Sequence, residues 1–122
     1  MKTILCGAAL ALVANMACAG GDARVGARVF AAECSECHSV KEGRNKKGPS
    51  LFAVLGRKAG EAPGVDYSDA LRKTGWQWNE TTLRNYLSRP VKESNPGGKM
   101  KYEGLRDAQA LEDLLTYLAT VR

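Results

Sequence analysis

The chain has 122 residues, which is enough for one small domain, and 25% of them are charged, with a formal net charge of +5 at pH 7. This small positive excess, without a motif that interleaves basic and aromatic residues, argues against a protein that binds nucleic acid. Two of the four cysteines lie beyond residue 19, too few for a secreted scaffold built on disulfide bonds.

Residues 1–19 are predicted to be a secretory signal peptide that is cleaved. Lys2 supplies the positive start, an uncharged apolar run follows, and small residues two apart place the cut after Ala19. A transmembrane anchor is one alternative, but the run is shorter than the roughly 20 clearly apolar residues of a spanning helix. Lipidation of Cys18 is another, although its surroundings make a poor lipoprotein signal. We therefore expect residues 20–122 to be exported as a single domain without stable membrane insertion.

A helix is predicted at the start of the exported part. Val25, Val29 and Phe30 fall at i, i+4 and i+5 and line one side. The small Gly26 leaves room for close packing on the same side. This helix runs into Cys34, the first residue of the segment Cys-Ser-Glu-Cys-His.

In that segment, Cys34 and Cys37 are followed at once by the chain's single histidine, His38. A structural zinc site needs four ligands, and no second cluster of Cys or His follows. A thiol–disulfide active site normally lies in a βαβ unit, and no alternating β pattern surrounds these residues. The third interpretation is covalent attachment of a c-type haem, for which C-x-x-C-H is the signature. Positions i and i+3 share a helix face, so both thiols can reach one haem, with the imidazole under its iron.

Loops alternate with helices in the rest of the chain. Gly75 is expected to end a short helix. Asn79 is a favourable N-cap for the next helix and Pro90 marks its end. Asp107 is the expected N-cap of the last helix, whose leucines at i, i+3, i+4 and i+7 form one apolar face. The predicted fold class is all-α. The predicted helices are residues 66–75, 79–90 and 107–122, and the predicted loops are residues 41–65 and 91–104.

Met100 is the one methionine beyond residue 19, and it lies in the segment Asn-Pro-Gly-Gly-Lys-Met. A lone methionine usually fills a core, but glycines and charged residues flank this one. Because His38 is the single histidine, ligation by two histidines is impossible, and the thioether of Met100 can reach the iron from the opposite side. His/Met ligation is typical of cytochromes c and raises the reduction potential.

Taken in order along residues 22–120, these features resemble the class I c-type cytochromes, the family of mitochondrial cytochrome c and its soluble bacterial relatives. Residues 26–40 resemble the first helix and haem motif of that family, residues 46–90 its central stretch, and residues 95–100 the loop that carries the methionine ligand. The resemblance implies a small all-α fold in which the first and last helices cross. It also implies one haem c in the core, attached covalently through both cysteines.

The resemblance assigns further roles around the haem. The carbonyl of Pro49 should accept a hydrogen bond from His38 Nδ1–H and so fix the ring. Arg57 should lie near the inner haem propionate and offset its charge; the alternative for Arg57 is an exposed charge without a role. The residues expected at the crossing of the first and last helices are Gly26, Phe30, Leu114 and Tyr117.

Aromatic residues receive roles in the same way. Tyr67 and Trp78 should donate hydrogen bonds to the propionates, and Tyr86 should lie close to the sulfur of Met100. Trp76 is the rival of Trp78, but its spacing favours a partly exposed position. The alternative for each aromatic residue is plain packing in the core.

Two positions depart from the family pattern. Gly98 stands where mitochondrial members carry a threonine whose hydroxyl contacts a propionate, so this contact should be missing. Tyr102 stands where the family usually has phenylalanine. Lysines near the haem edge are also fewer, which bears on affinity for partners and not on ligation of the iron.

The resemblance implies a periplasmic, monomeric carrier of single electrons. No nucleophile, general base or substrate pocket is indicated, so we expect no enzymatic activity. Without Lys2 the net charge is +4, which favours acidic docking surfaces on redox proteins, such as a quinol-oxidising cytochrome complex and a terminal oxidase. One alternative is a haem enzyme or gas sensor of the same fold with Met100 off the iron. Another is a binding module whose two cysteines form a disulfide.

Overall fold

The computed structural model describes residues 20–122, so the predicted signal peptide lies outside the described residues. Within residues 20–122, helices alternate with loops, and Lys58 and Gln77 form an isolated antiparallel bridge. No helix in this range is long and apolar enough to cross a membrane. The prediction of an all-α fold is confirmed. The helices are α1 (Ala23–Glu33), α2 (Asp69–Arg72), α3 (Glu80–Leu87), α4 (Val91–Ser94) and α5 (Ala108–Thr120).

Side chains at the N-termini determine where the longer helices begin. Asn79 Oδ1 accepts a hydrogen bond from Thr82 N–H, and Thr82 Oγ1 accepts one from Asn79 N–H, both at 2.9 Å. This reciprocal pair satisfies two backbone donors that the first turn of α3 leaves free. Asp107 caps α5 by accepting from a first-turn N–H at 3.0 Å. Both N-cap predictions are confirmed, and Asp22 caps α1 in the same way.

The prediction that residues 91–104 form a loop throughout is wrong, because α4 occupies Val91–Ser94. Pro90, expected only to end the preceding helix, also begins the next one. Its ring holds φ at −53°, and proline suits a helix start because it has no N–H to satisfy there. The second helix is shorter than predicted: α2 ends at Arg72, and the chain then turns through Gly75, whose φ is 65°.

The first and last helices pack together at Gly26. A Cβ atom there would overlap the carbonyl oxygen of Asp113 and lie 2.7 Å from Tyr117 Cβ, so only glycine permits this approach. Phe30 packs on Tyr117 with ring centroids 5.8 Å apart, and Leu114 is 1% exposed. The predicted crossing residues therefore meet. The other buried apolar side chains are Val54, Ala59, Trp78, Leu83, Tyr86, Leu87, Val91, Leu111, Leu115 and Leu118.

Polar contacts hold the segment before α1 against α5. Asp22 N–H donates to the buried carboxylate of Asp113 at 2.8 Å, and Gly21 N–H donates to Thr116 Oγ1 at 3.0 Å. The residues just after the predicted cleavage point are therefore part of the folded domain.

An ion pair joins α3 to α5 and leads to a modest prediction. Arg84 Nε and Nη2 donate to the two carboxylate oxygens of Glu112 at 2.6 and 3.0 Å, and this hydrogen bonding lowers the pKa of Glu112. Because both side chains are more than one third exposed, we expect Arg84→Met to lower the free energy of unfolding by about 0.5 kcal/mol at neutral pH. A carboxyl with a depressed folded-state pKa stabilises the fold above its unfolded pKa. The difference from wild type should therefore disappear as the pH falls through the folded-state pKa.

Urea unfolding at neutral and acid pH measures this difference, with Glu112→Gln as the matched partner variant. An equal loss at both pH values would contradict the assignment of the effect to the ion pair.

Candidate functional site

The segment from Cys34 to His38 forms a tight turn at the end of α1. Cys34 is the C-cap, and its N–H donates to Phe30 O at 2.8 Å. The N–H groups of Cys37 and His38 then donate back to Cys34 O at 3.1 and 2.9 Å. Both cysteine side chains are partly buried, and no disulfide joins them. The turn thus brings two thiols and one imidazole together at the end of a single helix.

The environment of these thiols bears on the competing interpretations. Burial, with a smaller contribution from the negative charge of Glu33, raises the pKa of the Cys34 thiol to about 12. Thiol–disulfide enzymes need the opposite, a lowered thiol pKa that provides thiolate at neutral pH. A zinc site lacks its ligand set, since no group of three or more His, Cys, Asp or Glu side chains in residues 20–122 is placed to hold a metal ion. Haem attachment is the interpretation that this geometry favours.

The imidazole of His38 is held in one orientation. Its Nδ1–H donates to the carbonyl oxygen of Pro49 at 2.7 Å, which fixes the tautomer and leaves the lone pair on Nε2 free. Burial lowers the pKa of His38, although the hydrogen bond to Pro49 acts in the opposite direction. The residue therefore presents a neutral, oriented nitrogen, the form in which histidine binds metals.

Gly48 is a residue of this site that the sequence prediction missed. A Cβ atom at this position would lie 2.9 Å from His38 Nδ1, so a larger residue would push the imidazole out of place. The N–H of Gly48 also donates to Cys37 O at 2.8 Å, which connects this residue to the C-x-x-C-H motif. The one sequence signal for it is the adjacent pair Gly48–Pro49, which marks a turn but not a contact with the imidazole.

Arg57 is positioned by the pairing of two backbone segments. Its carbonyl accepts from Trp78 N–H at 2.8 Å, next to the bridge between Lys58 and Gln77. The guanidinium is partly buried, which lowers its pKa, and Nη1 donates to Phe52 O at 3.4 Å. Among residues 20–122 no carboxylate lies within ion-pair distance of it. A partly buried cation without an anion is unfavourable, so the position fits an anionic group such as a haem propionate.

Three of the predicted aromatic residues, Trp76, Trp78 and Tyr86, form one cluster, and Tyr67 lies near Arg57. Burial raises the pKa of Tyr67, and the nearby charge of Arg57 partly offsets this effect. Trp78 is 7% exposed, whereas Trp76 is more exposed, as its spacing predicts. The ring centroids of Trp78 and Tyr86 lie 5.1 Å apart, and those of Trp76 and Trp78 lie 5.9 Å apart. These rings provide an apolar wall with a few polar donors.

The hydroxyl of Tyr86 donates to the sulfur of Met100 at 3.7 Å. Burial raises the pKa of Tyr86 to about 12, so the hydroxyl remains a donor at neutral pH. Tyr102, two residues after Met100, donates to Glu33 Oε2 at 3.1 Å. This hydrogen bond ties the segment that contains Met100 to the end of α1 beside Cys34. The fold therefore holds the thioether and the C-x-x-C-H turn in neighbouring segments.

Comparisons with known proteins agree with this geometry. The sequence model of the family described as cytochrome c matches residues 23–122. A cytochrome c of Gibberella zeae is 46% identical over 101 residues, which cover 82% of this chain and 94% of that protein. A cytochrome c2 of Rhodopila globiformis is 42% identical and covers 84% of this chain and 95% of that protein. Among solved structures, cytochrome cH from Methylobacterium extorquens matches with a TM-score of 0.74 and 40% identity, over 82% of this chain and 99% of that one.

Proposed function

Because the chain belongs to the cytochrome c family, we propose that it is an exported carrier of single electrons whose haem iron is bound by His38 and Met100. Haem c is attached covalently through Cys34 and Cys37, as in the rest of the family. The observation that most directly supports the ligand assignment is the hydrogen bond from Tyr86 to the Met100 sulfur at 3.7 Å. Met100 is the single methionine in residues 20–122, and this contact holds its thioether in a partly buried position.

The side chains of the site then have distinct tasks. When bound, the haem supplies a one-electron couple between ferric and ferrous iron. His38 offers Nε2, and the carbonyl of Pro49 keeps the ring from turning. Arg57 provides a positive charge for a propionate, and Tyr67 and Trp78 add hydrogen-bond donors. The proposed role requires no proton or group transfer by these residues, in agreement with a carrier and not an enzyme.

We place this carrier in the periplasm as a monomer. The signal peptide predicted at residues 1–19 supports the export of the chain. The net charge of +4 without Lys2 supports docking on acidic surfaces. Redox proteins with such surfaces, for example a quinol-oxidising cytochrome complex and a terminal oxidase, are the proposed donor and acceptor.

The absorption spectrum of the purified ferric protein tests the proposal. A weak band near the red end of the spectrum, typical of a sulfur–iron bond, together with a low-spin spectrum at neutral pH, is the expected result. A high-spin spectrum would show an open iron position and favour the alternative of a haem enzyme or gas sensor with Met100 off the iron. A colourless protein would favour the other alternative, a binding module whose two cysteines form a disulfide.

Tyr86 allows a second test, because its hydroxyl withdraws electron density from the Met100 sulfur. We expect Tyr86→Phe to lower the midpoint potential by on the order of 20 mV, the lower end of what one hydrogen bond is worth when expressed for a one-electron couple. A redox titration measures the shift. The matched control is Trp76→Phe, which changes a ring of the same aromatic cluster without removing a donor to sulfur. Equal shifts in the two variants would indicate a packing effect and contradict the proposed hydrogen-bond effect.

Electrostatic steering predicts a steep dependence of the electron-transfer rate on ionic strength. The Debye length falls from about 10 Å at 0.1 M to about 3 Å at 1 M salt, so the second-order rate with an acidic redox partner should fall by at least about tenfold over this range. Lys99 Nζ is paired with Asp66 at 2.7 Å, whereas Lys47 and Lys101 have no ion-pair partner among residues 20–122. Replacing either of these two by alanine should therefore slow the reaction more than Lys99→Ala does. A rate that stays flat with salt would exclude steering.

A further inference from the structure

The space next to Gly98 is occupied by the side chain of Asn95. A Cβ atom on Gly98 would lie 2.8 Å from Asn95 Oδ1, 3.0 Å from Asn95 O and 3.3 Å from Val91 Cγ1. The first two distances are too short for an ordinary contact with a carbon atom. Gly98 is not among the glycines with a positive φ, so its backbone alone does not require glycine. The side chain and the carbonyl oxygen of Asn95 together leave little room for a side chain at position 98.

Asn95 is itself tightly held. It is 5% exposed, and its Nδ2 donates to the carbonyl oxygen of Ala70 in α2 at 3.2 Å. Its N–H donates to Val91 O at 2.7 Å, and its carbonyl accepts from Gly98 N–H at 2.9 Å. One residue therefore connects α2, the C-terminus of α4 and the turn that lies two residues before Met100.

The hydrogen bond to Ala70 fixes the orientation of the Asn95 amide and leaves its oxygen without a partner among the described residues. Because a carbonyl only accepts hydrogen bonds, the contact with Ala70 places Nδ2 there and directs Oδ1 towards Gly98. Oδ1 is buried and has no hydrogen-bond partner among the described residues. A buried acceptor without a partner costs free energy comparable to a lost hydrogen bond. A leucine-like side chain would fill the same space without that cost, so simple packing does not explain the amide.

We propose that Asn95 is a positioning residue for the Met100 sulfur. Its side chain takes the space of the side chain that position 98 lacks, and its hydrogen bond to Ala70 anchors the turn before Met100 to α2. The effects of changing position 98 and position 95 are then coupled, because a side chain at position 98 must displace the amide of Asn95. This inference rests on the proposed function, in which Met100 binds the iron.

Binding of free imidazole to the ferric holoprotein tests this role, because imidazole competes with Met100 for the iron and its apparent affinity reports how easily the methionine detaches. We expect Asn95→Ala to raise the imidazole affinity about fivefold, the effect of losing one hydrogen bond. Gly98→Ala should raise it as well, because the added methyl group displaces the amide. In the double variant Asn95→Ala with Gly98→Ala, the hydrogen bond to Ala70 is already lost and no amide remains for the methyl group to displace, so the affinity should stay within about twofold of that of Asn95→Ala alone.

The controls separate positioning from general stability. Lys92→Ala changes an exposed residue of α4 and should leave the imidazole affinity unchanged. The free energy of unfolding is measured on every variant; a loss of stability in Asn95→Ala with an unchanged imidazole affinity would make Asn95 a purely structural residue and overturn the proposal. Asn95→Ser, which retains a small polar group, replaces Asn95→Ala if the alanine variant does not fold.

Two further outcomes distinguish the inference from the proposed function. Effects of the single substitutions that simply multiply in the double variant, or an unchanged or lowered affinity in Asn95→Ala, would overturn the inference alone. Absence of the sulfur–iron band from the wild-type ferric protein would overturn the ligand assignment of Met100 and the inference with it.

Discussion

Replacing Met100 by alanine is expected to lower the midpoint potential by more than about 100 mV while the haem stays attached. A thioether stabilises ferrous relative to ferric iron, and 100 mV corresponds to roughly a 50-fold change in the ratio of the two states for a one-electron couple. Residues 20–122 contain no second methionine to take its place. Covalent attachment through Cys34 and Cys37 does not depend on the sixth ligand, so the pigment should be retained. A redox titration of the purified protein measures the change.

The same variant should expose the iron to external ligands. Cyanide or azide should bind the ferric Met100→Ala variant faster than it binds the ferric wild-type protein, because no methionine has to detach first. Lys101→Ala is the matched control, since it changes the next residue in the chain and removes an exposed side chain. An unchanged potential together with unchanged ligand binding in Met100→Ala would show that the methionine is off the iron and would favour the gas sensor or haem enzyme.

The parts of the fold that could be predicted from the sequence depend on local signals. Asn79 and Asp107 cap their helices through donors within the first turn, so the few residues on either side contain all that is needed. The residues of the haem motif are likewise adjacent in the chain, and α1 ends where they begin. Pro90 shows the limit of this reasoning. It was expected to mark the end of one helix, but α3 already ends at Leu87 and Pro90 is the N-cap of α4. Its sequence neighbours do not decide between these two positions.

The parts that could not be predicted depend on contacts between distant segments. Asp113 is buried in α5 because it accepts a hydrogen bond from Asp22, 91 positions away. Asn95 faces Gly98 because its amide reaches Ala70, 25 positions away. A sequence pattern contains the residue types in these pairs but not their distances. From the sequence, Gly98 indicated only that the contact of a threonine hydroxyl with a propionate is missing. The structure adds that the side chain of Asn95 occupies the space next to this glycine.

Substitution of Gly26 by valine should strongly destabilise the fold. A Cβ atom at this position would overlap the carbonyl oxygen of Asp113 in α5, and Gly26 is not among the residues with a positive φ, so the conflict lies between the helices and not within the backbone. Overpacking of this kind costs about 3 kcal/mol or more when backbone atoms must move apart. Separating the helices would also weaken the contact of Phe30 with Tyr117.

Unfolding of the haem-loaded protein in guanidinium chloride measures the loss of stability in Gly26→Val. The matched control is Ala31→Val, at an exposed position of the same helix, which should cost about 0.5 kcal/mol because valine is a poorer helix former than alanine. If the two variants lost similar stability, helix propensity would account for both results, and the close crossing at Gly26 would not be what holds the first and last helices together.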